Sequence, residues 1–249
     1  MELEGRVALV TGASGKGMGR SIALTLAREG ADIVVNFKER RERAEELAKV
    51  IESMGRRALV QQADVADPEA VLAMVRAAES QFGHVDIAVC SAGGSWKPQD
   101  FADIEPAHWR AVMAEEIDGA YALIRAVLPG MRERAWGRIV LVGGLDADAW
   151  PFSPPRAPLD YPLGKAARHW LARELGAREH RHGVTVNAIA PGPIAYVSLE
   201  EAQRLADGGQ RPGNEPTPQD AAEAVAFLCS ERARHISGAV VPVLGRKEV

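Results

Sequence analysis

The sequence predicts an α/β fold in which helices cover both faces of one doubly wound parallel sheet. Two observations lead to this prediction. Short apolar runs rich in β-branched residues alternate with longer segments in which apolar residues recur at helical spacing, and a glycine-rich turn separates the first such run from the first helical segment. Folds of this kind bind ligands at the carboxyl ends of their strands. The 249-residue chain is expected to form a single domain, residues 1–249.

Seven apolar runs predict the strands. The first run, VALV, contains no polar residue, which is typical of a parallel strand that is buried on both faces. The later runs are also mostly apolar. The predicted strands are residues 7–10, 32–36, 58–62, 87–91, 137–142, 185–190 and 239–243.

Helices are predicted between these strands from apolar spacing and from capping residues. The first helix ends at Gly30, and Asp67 with Pro68 begins the third, because aspartate caps a helix and proline fits its first turn. A long helix is predicted over 106–131, another over 160–178, and a last one from Thr217 to about Ser230. Ala44, Leu47, Ile51 and Met54 form the inward face of the second helix, and Trp109, Val112, Met113, Ile117, Ala120, Tyr121, Ile124 and Leu128 form that of the long one.

The glycine-rich turn between the first strand and the first helix predicts a dinucleotide site. A helix N-terminus presents unpaired N–H groups and the positive end of its dipole, and residues without side chains let a pyrophosphate approach. A tight turn in any α/β protein also needs glycines, so the position after the first strand carries the argument. The predicted contacts from this turn are Gly12, Ser14, Lys16, Gly17, Met18 and Gly19.

Two irregular segments follow strand ends and are interpreted as loops that form a substrate site. Residues 145–159 are rich in proline and include Trp150 and Phe152, whereas residues 195–215 are polar and rich in glycine. Loops at the carboxyl ends of strands lie on the ligand side of this architecture. The alternative is that both are ordinary surface loops.

Composition excludes several classes of function. The net charge is −4 with both signs spread along the chain, which argues against a nucleic-acid partner. No apolar run approaches the ~20 residues of a membrane span, and the N-terminus lacks the pattern of a signal peptide, so a cytoplasmic protein without a membrane partner is expected. Cys90 and Cys229 are expected to be reduced buried thiols, and the six histidines show no metal-ligand spacing, so no metal site is predicted.

Tyr161 and Lys165 are the candidate catalytic pair. They stand four residues apart at the start of a predicted helix, so their side chains share one face. A nearby ammonium favours the phenolate and is therefore expected to lower the pKa of Tyr161 from its reference of ~10, as suits a general acid acting on a carbonyl. The spacing alone is common on helices, and its position between the fifth and sixth strands gives it weight.

Several motifs occur together in an order that resembles the short-chain dehydrogenase/reductase family. The turn TGASGKGMG is similar to the family's longer glycine motif, and Asp64 with Val65 matches the pair that touches adenine. The sequence Cys90-Ser91-Ala92-Gly93 stands where the family usually has NNAG, Tyr161 and Lys165 match the catalytic pair, and Pro191-Gly192-Pro193-Ile194 matches the segment that contacts nicotinamide.

The resemblance covers nearly the whole chain, which is similar to the compact, single-domain 3-oxoacyl-carrier-protein reductases and bacterial ketoreductases. It implies a Rossmann-type fold and a small-molecule carbonyl substrate, and it adds Asp64, Val65, Ser91, Ala92, Gly93, Pro191, Gly192 and Ile194 to the expected cofactor contacts. It also implies that Tyr161 protonates the carbonyl oxygen while Lys165 lowers the tyrosine pKa and holds the nicotinamide ribose. Hydride comes from the cofactor.

The chain departs from the family pattern at two positions. The phrase that usually carries the catalytic serine is GRIVLVGG here, which places Gly144 at the serine position, and the family's helical asparagine aligns with Glu116. Both usual polar helpers are therefore replaced. Asp146, Asp148, Ser153 and Asp160 are candidates for a substitute hydrogen-bonding group.

Glu116 is itself a candidate catalytic residue. Helical spacing places it on the face expected to be buried, where a carboxylate is costly unless a cation pairs with it, and Lys165 is the expected partner. The alternative is that the helix is rotated or kinked and that Glu116 faces solvent.

The residues after the second strand favour NADP(H) over NAD(H). An acidic residue there would accept hydrogen bonds from the 2′-hydroxyl of NAD, but the chain has Asn36, Lys38 and Arg40, and Lys16 adds a cation from the glycine turn. These cations would attract a 2′-phosphate. A solvated helix start of mixed charge is the alternative.

Three functions from different classes remain open. A carbonyl reductase comes first, a non-redox enzyme that uses Tyr161 for isomerisation or elimination comes second, and a nucleotide-binding homologue without activity comes third. Gly144 and Glu116 favour the latter two, whereas Tyr161 and Lys165 favour the first two. The resemblance also implies a homotetramer, for which Trp170 on the tyrosine-bearing helix is a candidate interface anchor.

Overall fold

Strands and helices alternate along the chain in the computed structural model, which describes residues 1–94, 99–145, 147, 159–211, 213 and 215–243. The strands are β1 (Val7–Val10), β2 (Asp32–Phe37), β3 (Ala58–Gln62), β4 (Ile87–Cys90), β5 (Gly137–Val142), β6 (Val184–Pro191) and β7 (Val240–Val243). Each predicted strand is confirmed to within one residue at either end. Their apolar side chains favour burial between the two helical layers, and all four residues of β1 are buried.

These strands form one parallel sheet among the described residues, in the order β3-β2-β1-β4-β5-β6-β7. The order reverses between β1 and β4, where Ala8 pairs with Ile87. A crevice opens at such a reversal, outside the carboxyl ends of the strands. The predicted doubly wound parallel sheet is confirmed, and its switch point fixes where a ligand site is expected.

Helices cover both faces of the sheet and enclose two apolar cores. They are α1 (Met18–Arg28), α2 (Arg41–Ser53), α3 (Pro68–Phe82), α4 (Pro106–Met113), α5 (Gly119–Glu133), α6 (Asp160–Glu179), α7 (Leu199–Ala206) and α8 (Pro218–Cys229). One core packs mainly α1 and α8 on the sheet, and the other packs α3 and α5. The predicted caps are confirmed: Asp67 accepts the N–H groups of Glu69 and Ala70, and Thr217 forms a capping box with Asp220.

The predicted long helix contains a π-helical turn, Ala114–Asp118, between α4 and α5. A π turn bonds i to i+5 and so holds more residues than an α turn, which rotates the apolar face downstream of it. Tyr121 was predicted to face inward, and this is wrong: it is 57% exposed, and Leu123 and Val127 are buried instead. Glu116 lies inside the π turn and is buried.

The segment 195–215 is only partly a loop. Ser198 caps a short amphipathic helix, α7, and accepts the N–H of Glu201, so the interpretation as a continuous loop was wrong over Leu199–Ala206. Ala202 and Ala206 bury one side of α7 against α1. Most of the segment 145–159, with Trp150 and Phe152, lies outside the described residues. None of the described helices combines the length and the apolar character of a membrane span.

Candidate active site

A cleft of about 870 Å³ lies at the carboxyl edge of the sheet, over the switch point between β1 and β4. It brings together residues that are far apart in the sequence. All predicted contacts from Gly12 to Gly93 line it, as do Tyr161 and Lys165. The predicted contacts Pro191, Gly192 and Ile194 do not line it. Their role in binding nicotinamide therefore stays a prediction.

The glycine turn packs directly against the end of β4. Gly12 has a positive φ of 66°, and a Cβ there would lie 3.1 Å from the Cα of Ala92. Thr11 Oγ1 accepts the N–H groups of Ser91 and Ala92, at 2.9 and 3.0 Å. No side chain caps the N-terminus of α1 at Gly17. The first N–H groups of this helix therefore face the cleft wall without a side-chain acceptor, as an anion site requires.

Asn36 holds the base of the cleft together. Its side chain is buried, its Oδ1 accepts the N–H of Gly12 at 3.0 Å, and its Nδ2 donates to the carbonyl of Ala63 at 3.0 Å. The amide thus joins the ends of β1, β2 and β3. It was predicted as a cofactor contact, and in this structure its polar atoms bond to backbone instead.

Lys38 lies between two carboxylates at one end of the cleft. Its Nζ is 2.9 Å from Asp64 Oδ2 and 3.0 Å from Glu115 Oε1. The hydrogen bonds that Lys38 donates to Asp64 and Glu115 raise the pKa of Lys38 above its ordinary value. Burial opposes ionisation of Asp64, yet the hydrogen bond from Lys38 holds the pKa of this carboxyl below its usual range. The local charge of the three groups is therefore −1, although the sequence argument counted Lys38 as a free cation.

Two arginines line the same end of the cleft. Arg40 was predicted, whereas Arg43, one turn further along α2, was missed although the spacing of three residues places both on one side of the helix. Neither arginine is within ion-pair distance of a carboxylate among the described residues. Together with Lys16, the two arginines supply the positive charge at this end of the cleft, because the charge of Lys38 is neutralised by Asp64 and Glu115.

Tyr161 and Lys165 lie at the other end of the cleft, in the first turns of α6. Asp160 Oδ1 accepts the backbone N–H of Tyr161 at 2.8 Å, and Lys165 Nζ lies 5.0 Å from the centre of the Tyr161 ring. The ammonium points inward: it donates to the carbonyl of Val142 at 3.3 Å and lies 3.1 Å from Glu116 Oε2. The predicted pairing of Glu116 with Lys165 is confirmed.

The pKa values of Tyr161 and Lys165 differ from those that the sequence suggested. Burial raises the pKa of Tyr161 to about 12, and the charge of Glu116 adds to that rise. Burial and the neighbouring Arg168 lower the pKa of Lys165 to about 8, although Glu116 opposes the change. The expected lowering of the Tyr161 pKa by Lys165 is therefore wrong here, because Glu116 offsets the ammonium and the phenol is desolvated.

Gly144, which was predicted to stand at the family's serine position, has no side chain. Its N–H donates to Nε2 of His169, a buried residue of α6, at 3.3 Å. Asp160, one candidate substitute, is buried at the start of α6, and its Oδ2 lies 3.2 Å from His108 Nε2. The other candidates, Asp146, Asp148 and Ser153, lie outside the described residues.

Sequence reasoning missed several charged residues of the site. Among them, Arg43 and Glu115 line the cleft, and Arg168 pairs with Glu116 behind it. Arg168 was detectable, because positions 161, 165 and 168 share one face of a helix. Glu115 gave no signal, since only the π turn brings it to Lys38.

Comparison with known proteins gives a consistent result over the whole chain. The family model described as enoyl-(acyl carrier protein) reductase matches residues 12–245. The 3-oxoacyl-(acyl-carrier-protein) reductase FabG of Pseudomonas aeruginosa is 35% identical over 98% of both chains. The cyclohexanol dehydrogenase of Rhodococcus sp. strain TK6 is 34% identical over 98% of this chain and 97% of its own.

A solved structure from Sinorhizobium meliloti 1021, described as a short-chain alcohol dehydrogenase, superimposes with a TM-score of 0.83. It is 31% identical and covers 97% of this chain and 95% of its own. The two proteins therefore share nearly the whole fold.

Proposed function

Because this chain belongs to the short-chain dehydrogenase/reductase family, an oxidoreductase family, we propose that it reduces a small-molecule carbonyl to an alcohol with NADP(H) and with Tyr161 as proton donor. The observation that carries the proposal is the placement of Tyr161 and Lys165 in the same cleft as the glycine turn. A dinucleotide that spans this cleft would have its phosphates at the turn and its other end at Tyr161.

The residues of the cleft fit such a cofactor. The N-terminus of α1, which no side chain caps, suits the pyrophosphate. Asp64 and Val65 would hold the adenine end. A bound dihydronicotinamide would supply hydride to the carbonyl carbon, and Tyr161 would donate its proton to the carbonyl oxygen.

The preference for NADP(H) rests on the positive residues at the adenosine end. Lys16, Arg40 and Arg43 line the cleft there, and charge-assisted bonds from arginine to phosphate are stronger than bonds to a hydroxyl. Lys38 contributes less to the attraction of a phosphate than the sequence suggested, because it already forms ion pairs with Asp64 and Glu115.

The relatives indicate which substrates to test first. One is described as acting on 3-oxoacyl groups carried by a protein and another on cyclohexanol, so 3-oxoacyl thioesters and cyclic ketones form the first panel. The proposal predicts loss of NADPH absorbance with at least one of them and none with the Tyr161→Phe variant. If no carbonyl of the panel oxidises NADPH although the cofactor binds, the reductase proposal is wrong.

A non-redox enzyme is the second candidate, and the missing hydroxyl at Gly144 favours it. The same panel, followed by mass spectrometry of the products, distinguishes the two functions. An isomerised or dehydrated product with unchanged NADPH would support the second candidate.

We also propose that the protein forms a homotetramer through its long helices. Tyr121 on α5 and Leu163 and Trp170 on α6 are large apolar side chains that are about half exposed in the single chain. Side chains of this size are typical of interface anchors. Light scattering at micromolar concentration tests the proposal, which a monomeric mass would contradict.

A further inference from the structure

Arg168 is buried at the carboxyl edge of the sheet, with 1% of its surface exposed. All three nitrogens of its guanidinium donate to main-chain carbonyls. The acceptors are the oxygens of Cys90 and Ala92 at the end of β4, Val142 at the end of β5, and Glu115 and Glu116 in the π turn, at 2.6–3.3 Å. One side chain therefore joins three elements that border the cleft.

The same guanidinium lies against a buried carboxylate. Glu116 Oε2 is 3.1 Å from Arg168 Nε and 3.1 Å from Lys165 Nζ, although neither contact is well aligned as a hydrogen bond. Its Oε1 accepts the N–H of Gly94 at 2.8 Å. Glu116 is thus held between two cations and one backbone donor. An unpaired charge at such depth would be costly, so the three ions stabilise one another.

This arrangement determines what the ammonium of Lys165 contacts. Two of its neighbours, Glu116 Oε2 at 3.1 Å and the carbonyl of Val142 at 3.3 Å, lie on the inner side of α6. Arg168 fixes both neighbours, since it donates to the carbonyls of Val142 and Glu116. The carboxylate favours the charged form of Lys165, and the guanidinium disfavours it.

We propose that Arg168 is a positioning residue that fixes the Glu116 carboxylate against Lys165, so that this buried pair controls the charge of Lys165 and keeps the proton on Tyr161. The proposal deepens the proposed function, on which its catalytic consequence rests. In the reduction, one C–H bond forms from hydride and one O–H bond forms from the Tyr161 proton, the carbonyl double bond becomes single, and the phenolate regains a proton from solvent. The step requires Tyr161 in its protonated form, which burial and the charge of Glu116 favour.

Other titratable groups lie near this cluster on neighbouring elements. Cys90 of β4 is buried, and burial raises the pKa of its thiol to about 11. Asp160 begins α6 with His108 of α4 beside it, and Tyr196 approaches from the segment after β6. A titration of Lys165 must therefore be compared with variants that change only one of these groups.

The test measures the pKa of Lys165 directly in the protein without cofactor. Lysine labelled with ¹³C at Cε gives one resonance for each of the six lysines of the chain. The Lys165 resonance is identified by its absence in Lys165→Arg. In the unaltered protein it is expected to titrate at about 8.

The proposal predicts that one substitution lowers the pKa of Lys165 and that a second substitution, added to the first, raises it again. Glu116→Gln should lower the pKa of Lys165 by roughly 1–3 units, because a carboxylate within ~4 Å is lost while the guanidinium remains. The double variant Glu116→Gln/Arg168→Gln should bring the pKa back up, because it also removes the repelling charge. It leaves Lys165 as the one buried cation of this cluster, whereas Glu116→Gln leaves two cations without the carboxylate, so the double variant stays measurable if a single variant does not fold.

Conservative and control variants separate positioning from mere packing. Arg168→Lys retains the charge and should leave Lys165 titrating close to the unaltered protein, whereas a single ammonium cannot serve all five carbonyls and the unfolding temperature should fall. Glu115→Gln is the matched control from the same π turn, since its carboxylate bonds to Lys38, and it should not move Lys165.

Equal Lys165 pKa values in the unaltered protein, Glu116→Gln and the double variant would overturn the proposal. A failure of the reductase proposal shows separately, as absence of NADPH oxidation. If reduction is found, the alkaline limb of kcat/KM should move to lower pH in Glu116→Gln. An unmoved limb would mean that the buried pair does not act on the reaction.

Discussion

Replacing Glu115 with glutamine is predicted to tighten NADPH selectively. Glu115 and Asp64 give the Lys38 cluster a local charge of −1, which repels a 2′-phosphate at the same end of the cleft. The exchange keeps the shape of the side chain and brings the local charge to zero. NADH carries a hydroxyl at this position, so its affinity should hardly change.

The magnitude follows from the ion-pair geometry. Lys38 Nζ lies 3.0 Å from Glu115 Oε1, and a phosphate oxygen bonded to the same ammonium at ~2.8 Å would lie within about 6 Å of the carboxylate. Because 48% of the Lys38 side chain and 28% of the Glu115 side chain are exposed, the dielectric constant of water applies. Two unit charges at about 6 Å then interact by about 0.7 kcal/mol, and a phosphate carrying nearly two charges by about 1.4 kcal/mol.

Physiological salt reduces this repulsion by about half at such a distance. The dissociation constant of NADPH should therefore fall about three- to tenfold in Glu115→Gln, with the larger effect at low salt. Calorimetric titration with both cofactors measures it. Glu133→Gln at the exposed end of α5 changes the net charge equally and serves as control. Equal tightening of NADPH and NADH, or none for either, would refute the electrostatic argument.

Three further predictions concern catalysis, assembly and packing. Tyr161→Phe should lower kcat about 100-fold or more while the NADPH dissociation constant stays within about twofold, because only the proton donor is removed. Substantial turnover of the variant in an assay of NADPH oxidation would show that the proton comes from another group. Trp170→Glu should lower the mass found by light scattering, since a charge replaces an exposed aromatic side chain of α6, and an unchanged mass would exclude this face as the interface. Gly93→Ala should lower the free energy of unfolding by about 1–3 kcal/mol, because its Cβ would overlap Glu116 Oε1. Gly94→Ala is the control, since a Cβ there would lie 3.3 Å from Cγ1 of Val112. Equal unfolding temperatures for the two variants would contradict this packing argument.

Much of the fold could be predicted from the sequence because local patterns and tertiary packing agree. The run VALV of β1 is apolar throughout, and it is buried throughout. Asp67 and Thr217 cap helices where their residue types predicted caps. The π turn was not predictable in this way, since uniform helical spacing was assumed through Ala114–Asp118, and Tyr121 was consequently assigned to the wrong face.

In the candidate site, too, short local motifs were predicted and contacts between distant residues were not. The glycine turn and the pair Tyr161 and Lys165 were found because each is a short motif with its own geometry. The state of Lys38 was not found, because it depends on Glu115, 77 positions away in the sequence. Charge at a site follows from which side chains meet, and spacing along one element does not reveal that.

Glu116 is accommodated by residues on several elements rather than by its own helix alone. Its carboxylate leaves no room for a side chain at Gly93, and a Cβ at Gly164 of α6 would lie 2.5 Å from the Glu116 Cβ. Arg168 supplies a second cation from the same face of α6 as Lys165. The side chain at position 116 therefore requires glycine at position 164, its carboxylate requires glycine at position 93, and Arg168 pairs with that carboxylate.

Restoring the family pattern would consequently take more than two substitutions. Asparagine at position 116 would leave the guanidinium of Arg168 without its carboxylate in the protein interior, which costs more than the lost pair contributed. Serine at position 144 would place its Cβ 3.3 Å from Cγ and 3.4 Å from Cβ of Lys165, so the lysine would have to shift by a few tenths of an ångström. Since that lysine is held by Glu116 and Val142, the serine and the carboxylate compete for the position of one side chain. The residues at positions 144 and 116 thus both affect the packing around Lys165.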